Sequence, residues 1–104
     1  MWKRTLAAAL VLSALAMSNP AISQAPGLHI FESSYGVRGS EMQVTVVVAA
    51  RCEGRYRCGF PVSNGFFGGD PAGGIVKRVV VRWTCGAVRN RTAFPENTEA
   101  RLRC

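Results

Sequence analysis

The segment ARCEGRYRCGFPVSNGFFGGDPAGGIVKRVVVRWTC, residues 50–85, connects a cysteine-bounded loop to a strand-like run through a long glycine-rich stretch. Its centre, residues 59–75, is longer than an ordinary connection between elements, and such loops are usually either functional or disordered. Phe60, Phe66 and Phe67 favour burial, which argues against disorder. We therefore predict one long, ordered loop, whose glycines permit positive φ angles and the close approach of a ligand.

The sequence around this loop has the two-residue period of half-buried strands. After the loop, Val79, Val81 and Trp83 alternate with Arg78 and Arg82. The predicted strands are LHIF (28–31), EMQVTVVVAARC (41–52), VKRVVVRWTC (76–85) and NTEARLRC (97–104), and the first of them ends at the turn residues SSYG (33–36). In the second strand Met42, Val44, Val46 and Val48 share one face. In the fourth, Ala100, Leu102 and Cys104 share one face. No segment shows a sustained helical period, although VSNGFF (62–67) is compatible with one helical turn. The pattern predicts a mainly β fold, a small antiparallel β-sandwich of two packed layers.

The N-terminus has the features of an export signal. Lys3 and Arg4 precede the apolar run TLAAALVLSALAM, which is followed by the small and helix-breaking residues SNPAIS. This order is typical of a signal peptide, and the run is shorter than a membrane span requires. We predict a signal peptide over residues 1–23, cleavage before Gln24, and a single domain over residues 24–104. The predicted location is secreted or periplasmic, with no membrane span after cleavage.

The four cysteines of an exported chain predict two disulfides, for which three pairings are possible. No pair has the C-x-x-C spacing of a zinc site, and His29 is the single histidine. We therefore expect neither a metal site nor a cofactor. The net charge is +7, but the basic residues are scattered and mostly alternate with apolar ones. Solvated strand faces explain them better than a nucleic-acid site does.

Residues 50–85 also carry the motifs of a known family in order. They are a Cys-x5-Cys loop (52–58), a Ser-Asn pair before an aromatic-Gly run (63–68), an Asp-Pro pair (70–71), a lysine that opens a strand (Lys77) and a closing aromatic-x-Cys (83–85). With the upstream LHIFESSYG, they resemble the sea-urchin-egg-lectin type domain, the galactose- or rhamnose-binding lectin family. The resemblance implies an exported, bacterial-type lectin domain with a glycan as its partner.

The chain departs from the family pattern at several positions. Val37 separates Tyr-Gly from Arg38, and Ala72 stands in place of a cysteine whose partner is also missing. The family's first strand, with a sugar-binding glutamate and a cysteine eight residues later, has no counterpart before LHIF. The C-terminal segment has this spacing in Glu96 and Cys104, which suggests a circularly permuted domain. The resemblance then implies the disulfides Cys52–Cys58 and Cys85–Cys104.

A site for sugar hydroxyls requires ionised carboxylates as acceptors and amide or ammonium groups as donors. The resemblance and this requirement select Asn64, Asp70, Gly74, Lys77, Glu96 and Tyr35 as candidate sugar-binding residues. Lys77 is in phase with the inward-facing series of its strand, which predicts a lysine that faces a pocket.

Five of the six candidates also have a structural interpretation. Asp70 and Asn64 precede Pro71 and Gly65, which is common turn chemistry. The Lys77 stem is also suited to lie along the sheet edge with its ammonium in water. For Glu96 the alternative is an exposed loop acid, and Tyr35 is better suited to packing against the loop than to touching sugar.

The sequence therefore predicts a carbohydrate-binding module for a galactose- or rhamnose-type sugar. The alternative is a disulfide-stapled cationic β domain that binds a protein or an anionic envelope polymer without sugar specificity. An enzyme is not expected, because the few acids are spread through the sequence and no nucleophile–base pair is evident. The sequence leaves open which sugar is bound and which oligomeric state the protein adopts.

Overall fold

The computed structural model describes residues 27–104, so the predicted signal peptide and its cleavage site lie outside the described residues. The elements are β1 (Leu28–Val37), β2 (Ser40–Gln43), α1 (Thr45–Cys52), β3 (Arg57–Pro61), α2 (Asn64–Phe67), β4 (Arg78–Cys85), β5 (Val88–Pro95) and β6 (Glu99–Arg103). Strands account for 51% of this part of the chain and helices for 15%, which confirms the mainly β fold class.

The strands form two antiparallel sheets. One has four strands in the order β2-β1-β4-β5, and the other pairs β3 with β6. Both contribute to one core, which is the arrangement of a small β-sandwich. The buried apolar residues are Leu28, Ile30, Tyr35, Val44, Val48, Cys52, Cys58, Phe60, Val62, Phe67, Val79, Val81, Trp83, Ala100 and Leu102. The predicted alternation of β4 and β6 is confirmed, because their apolar positions are buried and Arg78, Glu99, Arg101 and Arg103 are exposed.

The prediction of a strand over residues 41–52 is wrong, because this segment divides into the short strand β2 and the helix α1. Val44, Val48 and Cys52 are buried at four-residue spacing, whereas Val46 is 82% exposed. The Val44 N–H donates to the Ser33 carbonyl (2.9 Å), where the chain turns into the helix. Burial of the four-residue series outweighs the strand propensity of the valines, which depends strongly on tertiary context.

The first strand is longer than predicted. SSYG lies inside β1, where Tyr35 pairs with Met42 on one side and Val79 on the other. Gly36 is required by close packing rather than by a turn at that point. A Cβ at Gly36 would lie 2.2 Å from the Ser40 carbonyl oxygen, and its φ of 150° disfavours other residues.

The long loop predicted over residues 59–75 is partly regular. Its first residues belong to β3, and the predicted helical turn is confirmed as α2, capped by Ser63 Oγ, which accepts from the Phe66 N–H (3.1 Å). The irregular part is residues 68–77, which we call the glycine loop. The strand β5 was not predicted.

Both disulfides implied by the resemblance are confirmed. Cys52–Cys58 joins the end of α1 to β3, and Cys85–Cys104 joins the ends of β4 and β6. The second bond therefore connects the two sheets. Within residues 27–104, no helix is long and apolar enough to cross a membrane.

Candidate functional site

Lys77 is the last residue of the glycine loop, directly before β4, and is only 3% exposed. Its ammonium nitrogen is 2.8 Å from Asp70 Oδ1 and 3.2 Å from Glu96 Oε1. It also donates to the carbonyls of Ile75 (2.8 Å) and Ala72 (3.2 Å). An ammonium has three N–H groups, so these four acceptors engage all of them. Lys77 therefore holds both acids and the loop backbone together and has no free donor.

Glu96 and Asp70 differ in their exposure to solvent. The Glu96 side chain is 12% exposed, and its Oε1 accepts from the backbone N–H of Lys77 (2.9 Å) as well as from the ammonium. The Asp70 side chain is 41% exposed, and its Oδ1 accepts from the Ala72 N–H (3.3 Å) in a turn. Within the described chain, Asp70 Oδ2 accepts no hydrogen bond from the protein. Asp70 is thus both a turn residue and an acid with an available oxygen.

The contacts with Lys77 favour the charged forms of all three groups. The hydrogen bond from the Lys77 ammonium lowers the pKa of Asp70. The hydrogen bond from the Lys77 backbone N–H, followed by that from the ammonium, lowers the pKa of Glu96. In return, the hydrogen bonds to Asp70 and then Glu96 raise the pKa of Lys77. At neutral pH the cavity therefore presents two ionised carboxylates.

Tyr35 lies in the core rather than on the site surface. Its side chain is fully buried, its ring centroid is 4.4 Å from that of Phe67, and its hydroxyl donates to Asn64 Oδ1 (2.7 Å). Burial, followed by the charge of Glu96, raises the pKa of the hydroxyl, which stays protonated. Because no part of Tyr35 is accessible to a ligand, its selection as a sugar-contacting residue is corrected: it orients Asn64. Since the Asn64 oxygen is occupied, its side-chain N–H₂ group is the donor left for a ligand.

These residues border one cavity of about 240 Å³. Its lining consists of Asn64, Asp70, Gly74, Ile75, Val76, Lys77, Glu96 and Asn97. Five of the six residues selected from the sequence are in this list. The structure adds Asn97 and the exposed side chains of Ile75 and Val76. We call the cavity that these eight residues border the Lys77 cavity.

The three added residues had weak signals in the sequence. Asn97 has a φ of 70° in the turn before β6, and its N–H donates to the Val62 carbonyl (2.8 Å). A Pro-Glu-Asn-Thr run is typical of turns, but it does not indicate which cavity the turn borders. Ile75 and Val76 follow two glycines directly and read as the start of the strand, whereas their side chains are exposed at the cavity rim.

The chain was compared with family models, curated proteins and solved structures, and none of these comparisons found a match. The lectin resemblance and the circular permutation therefore stay predictions. Among the described residues, no group of three or more His, Cys, Asp or Glu side chains is placed to hold a metal ion.

Proposed function

We propose that this protein is an exported carbohydrate-binding module that recognises a galactose- or rhamnose-type sugar. The observation that carries the proposal is the convergence of Asn64, Asp70, Gly74, Lys77 and Glu96 on one cavity. These residues come from a short helix, a loop, a strand entry and a turn, and only the fold brings them together.

The polar groups of the cavity suit a sugar with adjacent hydroxyls. Asp70 Oδ2 is available to accept from a hydroxyl, and the side-chain N–H₂ of Asn64 is available to donate. Lys77 supports this arrangement by fixing both carboxylates and keeping them ionised, rather than by donating to the sugar itself. A fixed acceptor loses little conformational freedom when a ligand binds, which favours affinity.

The size and rim of the cavity also favour a single sugar unit. Its volume of about 240 Å³ lies below the roughly 300–1,000 Å³ of pockets that hold drug-sized ligands. The exposed Ile75 and Val76 offer apolar contact to the C–H face or methyl group of a pyranose.

Export is part of the proposal. Two disulfides form and persist in oxidising compartments such as the periplasm or the extracellular space. A secreted or periplasmic location would also give the Lys77 cavity access to envelope or cell-surface glycans.

The proposal is tested by calorimetric titration with galactose and rhamnose, using Asp70→Asn and the matched control Glu41→Gln. Asp70→Asn keeps the size of the side chain but replaces an acceptor oxygen with a donor. It should lower sugar affinity by about ten- to a hundredfold, which is what a lost charged hydrogen bond costs. Glu41 is an exposed acid on β2 outside the cavity lining, and its variant should bind like the wild type. Equal binding by both variants, or no binding by the wild type, would rule out the Lys77 cavity as a sugar site.

A further inference from the structure

A second and larger cavity lies on the two-stranded sheet. It has a volume of about 470 Å³ and is bordered by Arg55, Arg57, Arg101, Arg103 and Glu99, with Gly59 among the remaining lining residues. Arg57 on β3 and Arg101 and Arg103 on β6 all lie on the exposed face, because the alternate residues of both strands are buried. We call this surface the arginine groove. It shares no lining residue with the Lys77 cavity.

The arginines form a cluster through the pairing of β3 with β6. Arg57 stands directly opposite Arg103, and Gly59 stands opposite Arg101. Residues on one face repeat about every 7 Å along a strand, so the guanidinium groups form a short ladder of positive charge. Gly59 has no side chain, and the Glu99 carboxylate reaches over it, because a Cβ at Gly59 would lie 3.0 Å from Glu99 Oε2.

This arrangement is unfavourable for folding. Like charges directly opposite each other on one face destabilise a sheet. Between residues 27 and 104, none of the ion pairs involves Arg55, Arg57, Arg101 or Arg103. Glu99 is the single acid of the lining; it is paired with Pro61, and its carboxylate reaches over Gly59, the residue opposite Arg101. Four arginines against one acid leave the lining with an excess of three positive charges, which an anionic ligand would neutralise.

We propose that the arginine groove binds an acidic polysaccharide through carboxylate or sulfate groups on its sugar units. Planar guanidinium groups bind such oxyanions with two parallel hydrogen bonds, and they are more weakly hydrated than lysine ammonium groups. An open groove with repeated positive charge is complementary to a chain with repeated negative charge.

The lining favours a polysaccharide over other polyanions. No aromatic side chain belongs to the lining among the described residues, whereas single-stranded nucleic acid is usually held by stacking of its bases on aromatic rings. Protein partners are usually anchored by aromatic or other large apolar side chains at the centre of the interface. The apolar residues of this lining, Leu102 and Cys58, are buried beneath the arginine face and are not exposed for such a contact. The inference does not depend on sugar binding in the Lys77 cavity.

The test compares two double variants that remove the same charge. Arg57→Gln with Arg103→Gln removes the facing pair of the groove, and Arg89→Gln with Arg91→Gln removes two arginines of β5, outside the groove. Each protein is titrated onto immobilised polygalacturonate and heparin at rising salt. The groove variant should lose about tenfold or more in affinity, the amount expected for lost charged hydrogen bonds, and the β5 variant should bind like the wild type. The groove variant should melt no lower than the wild type, because a repulsive pair has been removed.

Two results would overturn the proposal. Equal losses in the two double variants would show that binding follows net charge alone. A single-stranded oligonucleotide that binds as tightly as the polysaccharides, and is lost with the same groove variant, would assign the groove to nucleic acid. Because the Asp70→Asn test uses a different cavity, its outcome is independent of this one.

Discussion

Lys77 shows how a single buried charge organises a loop. Its position in phase with Val79, Val81 and Trp83 predicted that it faces inward, and the structure confirms this burial. The alternative interpretation, in which the Lys77 stem lies along the sheet edge and its ammonium lies in water, is wrong. The ammonium contacts two carboxylates and two carbonyls of the protein. Strand periodicity gives the direction of a side chain, but the partners of the ammonium depend on how the glycine loop folds back.

The pKa shifts of this network predict how its stability depends on pH. Asp70 and Glu96 have pKa values lowered from 3.8 and 4.5, so their contribution is present above those values and is lost as pH falls through the folded-state values. Lys77 has a pKa raised from 10.5, so its contribution is present below that value and is lost as pH rises through the folded-state value. We expect the melting temperature to be highest between these limits and to fall on both sides.

The variant Lys77→Met separates the network from the other titrating groups. It leaves two carboxylates without a cation and the Ile75 carbonyl without the ammonium donor, so it should melt below the wild type at neutral pH. The difference between the two proteins should shrink at acid pH, where the carboxylates are neutral. The comparison is made on the acid side, because the charge of Lys77 lowers the pKa of Tyr35 and its removal would also change the alkaline titration of Tyr35. A difference that is independent of pH would show that Lys77 contributes through packing alone.

Among the strands and helices, alternation of apolar and polar residues predicted a strand correctly only where the strand has one buried and one solvated face. It identified β4 and β6, but it missed β5, in which four of the eight residues are polar or charged and no side chain is fully buried. It also missed β3, where Gly59 and Pro61 read as loop residues. The sequence over residues 41–52 predicts a strand because Met42, Val44, Val46 and Val48 alternate there, and only the contacts of α1 with β1 and β3 reveal the four-residue series.

Substitution of two valines distinguishes a helix from a strand over residues 45–52. Val48 is fully buried, so Val48→Ala should cost about 2 kcal/mol through lost burial and the cavity left behind. Val46 is exposed, so Val46→Ala should change stability by less than about 0.5 kcal/mol, as is usual for surface sites. Urea denaturation measures both. Similar costs at the two positions would indicate a strand in which both valines face the core.

At the scale of the whole molecule, long-range pairing accounts for what the sequence did not predict. The pairing of β3 with β6 brings Arg57 opposite Arg103, although the chain alone shows only scattered basic residues. The disulfide pairing followed from the family resemblance, and Cys85–Cys104 ties the two sheets together at their ends. A domain of this size has a small core, so such bonds are an important part of its stability.

The same long-range contacts build the Lys77 cavity. The turn before β6 brings Glu96 and Asn97 to the glycine loop, where the Glu96 N–H donates to the Lys77 carbonyl (2.7 Å). Chemical reasoning selected Glu96 and the loop residues, but their distances required the fold. Asn97 was missed because a turn residue gives no sign of its neighbours.

Monosaccharide binding in the Lys77 cavity is tested most directly by an NMR titration of the ¹⁵N-labelled protein with rhamnose and, separately, galactose. We expect one of the sugars to shift the amide signals of Gly74, Lys77 and Asn97 and the side-chain N–H₂ of Asn64, in a saturable manner and together. Signals from the arginine groove should stay unchanged with these neutral sugars. Absence of saturable shifts with both sugars, or shifts confined to residues outside the Lys77 cavity, would contradict the claim that this cavity binds a monosaccharide.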